Sequence, residues 1–229
     1  MNTRELEERI KKLEKQLDRF NDMHEIQMLM GKYATNHNQK NMHKTPQFYA
    51  FSQPDVSVEI GDRGVFVGEK SIRMLYEQLF QVKNLEGNML IHFLTNPMIE
   101  VAQDGKTAKG LWWSPGIEAV VLKEGEKPQA IWSFCKYPID FYKENGVWKF
   151  WHYRVYRVAK CSYEKGWVED QSWAFTGKLP NSPETQPITY HNPYTPTSIQ
   201  EAIPACPEPY DTWKDSSWIF ANEPQYMKK

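Results

Sequence analysis

Few residues in this chain combine a reactive side chain with a setting that would make it act. His92 is the first. It stands in Leu90-Ile91-His92-Phe93-Leu94, an otherwise apolar run that reads as a strand, so its imidazole is expected on a mostly buried surface. An imidazole ordinarily titrates near neutral pH, so one held there can take a proton from a carbon acid and return it to a leaving hydroxyl. The same position would equally suit a core histidine bonded to a backbone carbonyl. Tyr33 could turn its hydroxyl inward as an acid or as a donor to a substrate carbonyl, or stand as an ordinary core tyrosine. Asn96 follows His92 by four residues and is expected on the same strand face, as a polar pocket residue or a strand-end cap. In Trp148-Lys149-Phe150-Trp151-His152-Tyr153-Arg154, alternation puts Trp148, Phe150, His152 and Arg154 on one face. If the tryptophan faces the core, His152 and Arg154 do too. A buried arginine needs an anion, here Asp140 or Glu118 across the sheet, or an acidic substrate. Trp112, Trp113 and Trp132 are spaced so that some must line a concave face, as walls for a flat ring or as plain core packing.

Other chemistries find no support. His37, His92 and His152 could converge, but no HxH or HExxH spacing ties them together, and no metal is expected. Neither GxGxxG nor GxxxxGK occurs, nor a GxSxG elbow, so hydride transfer, ATP use and serine hydrolysis are not expected, and no cofactor is. Cys135, Cys161 and Cys206 are far apart and form no CxxC pair. With 28 Lys+Arg against 29 Asp+Glu, the net charge of -1 argues against nucleic-acid or membrane-surface partners. No secretory signal or membrane-length apolar run is visible, so a cytoplasmic protein is expected.

The elements that would position these residues fall into three zones of the 229-residue chain. Residues 1–25 read as a helix, with Leu6, Ile10, Leu13, Leu17 and Phe20 at heptad-like steps and Thr3 as its cap. Residues 26–160 read as one α+β unit. In it the first helix runs on past Tyr33 and fails in the NHNQKN run. Thr45-Pro46 opens a short helix, VSVEI is a strand, GDRG a turn, and Glu69–Gln81 a helix. Four long β segments follow, 89–101, 107–122, 130–142 and 148–158, joined by short turns such as Asp104-Gly105 and Asn145-Gly146, which implies an antiparallel sheet. Residues 161–229 hold nine of the 15 prolines between 180 and 229, yet also Trp167, Trp173, Trp213, Trp218, Tyr190, Tyr194 and Tyr210. Disordered tails are poor in aromatics, so this zone reads as an extended strap over the domain or a partner subunit.

Four segments in this order resemble the SnoaL-like branch of the nuclear transport factor two-like superfamily. LMGKYATNHNQKN is similar to its opening helix, with a basic-Tyr pair. FSQPDVSVEIGDRGVFVGEKSI is similar to its Phe-x-x-Pro-Asp segment, strand and helix start. LIHFLTNPMIEVAQDGKTAKG resembles its His-Phe-x-x-Asn strand and Asp-Gly hairpin, and NGVWKFWHYRV its closing strand. The resemblance implies a cone-shaped α+β fold, a curved sheet closing on helices around an apolar pocket. It also implies that His92 is the general base. In the resembling dehydratases an aspartate follows the opening tyrosine and orients that histidine; here Asn38 stands in its place, and Asn36 and His37 are neighbours able to take the role.

These readings converge on a cofactor-independent lyase or isomerase acting on a small apolar cyclic or aromatic molecule. His92, Tyr33 and Asn38 would be its catalytic residues. Asn96, Trp112, Trp113, Trp132, His152 and Arg154 would line its pocket. A non-catalytic ligand-binding protein and an assembly module with a filled cone are the rival readings. The exposed apolar stripe of the first helix and the aromatic strap further imply a homo-oligomer, most simply a dimer.

Overall fold

A computed structural model describes residues 2–80, 85–177, 179, 185–214 and 217–221. The first helix, α1 (Thr3–Asn38), is capped by Asn2, one residue before the expected cap, because its side chain and that of Glu5 exchange hydrogen bonds with each other's backbone amides. Only the second half is covered: Ile26, Leu29, Met30 and Tyr33 are buried, whereas Leu6 to Phe20 stay 45 to 69% exposed. Two strands follow, β1 (Ser57–Ile60) and β2 (Val65–Val67), then α2 (Gly68–Met74), which runs on as a wider turn to Leu79. Gln81, the expected end of that helix, lies outside the described residues.

The expected strand over 89–101 is two strands, β3 (Met89–His92) and β4 (Thr95–Val101). Both pair with the long β5 (Thr107–Val120), which pairs with β6 (Gln129–Glu144), which pairs with β7 (Val147–Ser162). All these pairings are antiparallel, but β1 joins the edge of β7 in parallel, so the sheet is mixed, with order β2-β1-β7-β6-β5-β3. The sheet is curved and unclosed, the α+β cone that the resemblance implies. Its inner face packs Tyr137, Ile139, Phe141, Phe150 and Tyr153 against Ile26, Tyr33, Ile72 and Leu75 of the helices. Burial of such an aromatic face is what holds helix and sheet together.

Two bulges decide which side chains look inward. Asp140 pairs with His152 but Phe141 pairs with Phe150, leaving Trp151 as an extra residue. Phe134 pairs with Ala159 but Cys135 with Arg157, leaving Val158 extra. Each extra residue shifts the alternation by one, so side chains beyond it change faces. The described strap residues cover the outer face of this same sheet: Trp213 stacks on Trp151, Tyr190 on Tyr156, and Thr189 donates to Glu59. Among the described residues no helix is long and apolar enough to cross a membrane.

Candidate active site

His92 ends β3 and faces inward over Gly116, its partner on β5, where an added Cβ would lie 3.0 Å from the imidazole Nδ1. The absent side chain lets the imidazole pack close against the β5 backbone. The other nitrogen, Nε2, lies 3.2 Å from Glu118 Oε1, and Lys160 Nζ donates to Glu118 Oε2 at 2.9 Å. A carboxylate only accepts, so Nε2 carries the hydrogen and Nδ1 keeps the lone pair. The Tyr137 hydroxyl approaches Nδ1 at 3.5 Å, the outer limit of a hydrogen bond. From α1, one turn apart, come Tyr33 and His37. Their rings stack at 5.9 Å, and His37 meets His92 edge-on at 5.0 Å. Asn38 does not touch the imidazole. Its amide clamps the backbone of His92, accepting from N at 2.9 Å and donating to O at 3.0 Å.

The electrostatics are those of a partly dry interior. Burial pushes the Glu118 carboxyl up, but the His92 hydrogen bond and the Lys160 ammonium outweigh it and hold the group well below the ordinary carboxylate range. Lys160 is lowered by its own burial, against the pull of Glu118. Burial, with His92 beside it, pushes His37 down to about 3, so it is neutral at physiological pH. Burial raises Tyr33 to about 12 and Tyr137 well above the ordinary phenol, so both carry their protons. Several buried polar atoms of this region find no hydrogen-bond partner among the described residues, notably His37 Nδ1 and the Nε atoms of Arg63 and Arg157. Such groups are costly unless something else satisfies them. Glu118 also borders a cleft of about 150 Å³ that Met42, Phe80 and Leu90 help line.

Tyr33, His37, Asn38 and His92 therefore come together; the other expected pocket residues do not. The bulge at Trp151 turns His152 and Arg154 to the outer face. There Asp140 Oδ2 takes His152 Nδ1 and Arg154 Nη1, each at 2.9 Å, so of the anions open to Arg154 it is Asp140 that serves. His152 cannot meet His37 and His92, and among the described residues no three His, Cys, Asp or Glu side chains form a metal-binding group. Asn96 is exposed, because the chain breaks between β3 and β4 and then takes a left-handed φ of 51° at a register shift. Of the three tryptophans, only Trp112 is buried on the inner side, against Phe141. Trp113 is at the surface beneath Lys136, and Trp132 stacks on Phe134 and Tyr163 outside. The walls near His92 are tyrosines instead. Glu118, Tyr137 and Lys160 were not expected here. Strand pairing brings them in, and no local motif marks them.

The family model for a SnoaL-like domain matches residues 18–154, more than half the chain. The chain belongs to this family. No curated protein sequence matches it. Solved structures share the fold at low identity. Hexachlorocyclohexane dehydrochlorinase LinA-type3 from Novosphingobium barchaimii is 18% identical, with a TM-score of 0.53 over 64% of this chain and 93% of that one. A protein provisionally described as a scytalone dehydratase, from Novosphingobium aromaticivorans, is 12% identical, with a TM-score of 0.51 over 76% and 98%. A provisionally described dehydratase of the NTF2-like family from Streptomyces avermitilis is 15% identical, with a TM-score of 0.51 over 61% and 98%.

Proposed function

We propose that this protein is a cofactor-independent lyase or isomerase that abstracts a proton from a small cyclic or aromatic substrate. The observation that carries the reading is the His92–Glu118 pair on the inner face, whose Nδ1 has the Tyr137 hydroxyl only at the outer limit of a hydrogen bond, 3.5 Å. The solved relatives named for dehydrochlorination and dehydration agree with it. In this mechanism Nδ1 takes a proton from carbon next to an electron-withdrawing group, and the C–H electron pair moves toward that group. Glu118 stabilises the imidazolium that results, the task given to an aspartate in the resembling enzymes. Tyr137, within reach of the same nitrogen, donates a hydrogen bond to the oxygen on which charge develops. Elimination then expels the leaving group, a hydroxyl departing as water with the proton from His92; isomerisation returns that proton to a different carbon. Asn38 and Tyr33 act as positioning residues, Asn38 by fixing the His92 backbone and Tyr33 by stacking on His37.

The test is deuterium exchange into a panel of cyclic and aromatic ketones, followed by NMR. The parent should exchange an acidic C–H, and His92→Ala should lower the rate roughly 10²–10⁴-fold with little change in melting temperature. A variant as active as the parent ends this reading. We also infer that a second copy covers the apolar stripe of α1, because Leu6, Ile10, Leu13, Leu17 and Phe20 otherwise face water along one side of the helix. A monodisperse monomer in light scattering at micromolar concentration would exclude it.

A further inference from the structure

The first half of α1 stands clear of the rest of the described molecule. Every residue from Asn2 to Asp18 is exposed. The body reaches along the helix only as far as Arg19, which pairs with Glu100 of β4. Beyond that point α1 is held by Asp22, Ile26, Leu29, Met30 and Tyr33. The apolar stripe lies on the other side of the same helix. Leu13, Leu17 and Phe20 precede Asp22, Ile26 and Leu29 by nine residues each, which is two and a half turns at about 3.6 residues per turn. The stripe is therefore half a turn out of phase with the buried face and points away from the described part of its own domain. Met28, 50% exposed, carries the stripe onto the body. A second copy can approach along this line without meeting the first cone, which lies behind the helix.

The residues flanking the stripe set the direction of that copy. In heptad terms Ile10 and Leu17 are a positions, and Leu6, Leu13 and Phe20 are d positions. A β-branched residue at a with leucine at d suits two strands. Arg9 then falls at g, and Glu7 and Glu14 at e. In a parallel pair each g faces the next e of the other helix, so Arg9 of each copy meets Glu14 of the other, an attraction made twice. In an antiparallel pair Leu6 would lie opposite Leu17 and e would face e. Glu7 of each copy would then meet Glu14 of the other, a repulsion made twice, while Arg9 met only the neutral Gln16. The parallel pair also brings Met28 of each copy beside that of the other; the antiparallel pair leaves it past the end of the facing helix. We propose that two copies pair through α1, parallel and in register from Leu6 to Phe20, as a short two-stranded coiled coil with its two-fold axis along the helices. Both cones then lie at the same end, on opposite sides of the pair. This pairing rests on the inference that a second copy covers the stripe, and it adds which segment of that copy does so and in which direction. It does not depend on the role of His92.

The test is disulfide trapping in the full chain carrying Cys206→Ser, since Cys206 is exposed while Cys135 and Cys161 are buried. Parallel pairing sets position 6 against itself, so Leu6→Cys alone should give a linked dimer with oxidised glutathione as the oxidant. Antiparallel pairing would set the two copies of that position roughly 16 Å apart along the axis, too far for a disulfide. A link would then form only in a mixture of Leu6→Cys with Leu17→Cys. Glu14→Lys reads the direction by its sign. In the parallel pair it turns attraction into repulsion and should raise the dimer dissociation constant roughly 3–30-fold in sedimentation, whereas in the antiparallel pair it would lower that constant. Adding Arg9→Glu should restore the parent value. Leu13→Asp, at a position 60% exposed and clear of the body, should leave only monomer at micromolar concentration. A monomeric parent, or a Leu13→Asp variant that stays dimeric, overturns the second-copy inference and this pairing together. A dimeric parent that links only between positions 6 and 17, that gives no link at position 6, or that is unchanged or tightened by Glu14→Lys overturns the parallel direction alone and leaves the second copy in place.

Discussion

Glu118 and Asp140 are buried carboxylates on neighbouring strands, and each holds a histidine and a cation. They lie on opposite faces of the sheet, and their surroundings differ in one respect. On the outer face Asp140 takes His152 and Arg154 on one oxygen and the Trp218 indole on the other at 2.7 Å, while the second nitrogen of His152 reaches Asp55 at 3.3 Å. Among the described residues no buried side-chain polar atom of that group lacks a partner. On the inner face Glu118 takes His92 and Lys160, but among the described residues Nδ1 of His92 has only the distant Tyr137, and His37, Arg63 and Arg157 keep buried nitrogens without partners. In both, burial raises the carboxyl and the surrounding donors lower it further, so both stay ionised. A saturated cluster fastens structure, whereas an unsaturated one has capacity for something that arrives.

The comparison breaks most sharply at Asp140. Asp140→Asn leaves Arg154 charged and buried with no anion, and should cost about 3–5 kcal/mol of folding stability. Exchange activity per folded molecule should stay unchanged; chemical denaturation beside the exchange assay checks both. Loss of activity without loss of stability would make the outer cluster a second functional group. Glu118→Gln should behave in the opposite sense. It keeps the shape but no longer stabilises the imidazolium, so the exchange rate should fall roughly 10²–10³-fold, or about 3–4 kcal/mol in the barrier. If Glu118→Gln only destabilises, the inner pair is structural and the contrast between the faces fails. Smaller again is Trp218→Phe, which removes one hydrogen bond to a charged acceptor at a partly exposed position. The expected cost is about 1.5 kcal/mol in stability, with exchange unaffected.

The fold could be read from the chain because its signals are local and repeated: the heptad steps of α1, the alternating strands, the Asp-Gly and Asn-Gly turns, and segments that resemble one family in order. The site could be read only in part. His92 was visible as a polar residue in an apolar strand. Its partner was not, because Glu118 comes from another strand and the register of Gly116 against His92 sets the contact. The bulges are harder still. Nothing in the composition around Trp151 or Val158 marks an extra residue, yet the first sends His152 and Arg154 to the outer face and the second ends the inward run at Arg157. Reading the last strand as one unbroken alternation thus picked Arg154 as the arginine in need of an anion, while the one without a partner lies three residues further on. Asn96 failed for a related reason, since an i+4 rule holds only along a continuous strand.

The finest test of the difference between the faces is the pH dependence of stability, and it isolates His37. In the folded chain its imidazole titrates at about 3, against about 6.5 for an ordinary histidine. Between those values the unfolded chain binds a proton that the folded chain refuses. Folding stability must therefore drop as the pH falls from about 6.5 toward 3, by at most about 1.4 kcal/mol per unit for one proton. Glu118 acts in a lower window. Its folded value is depressed, so its contribution is intact above the ordinary carboxylate range and is lost only at more acid pH. Measurements between pH 5 and 6.5 thus see the histidine and not the glutamate. Replacing His37 by Asn should leave stability at pH 7.5 nearly unchanged and flatten the acid slope, so that parent and variant differ by about 1–2 kcal/mol in their loss over that interval. Denaturant titrations at several pH values would show it. Parallel curves would mean that water already reaches Nδ1 of His37, and that the inner cluster is as well satisfied as the outer one.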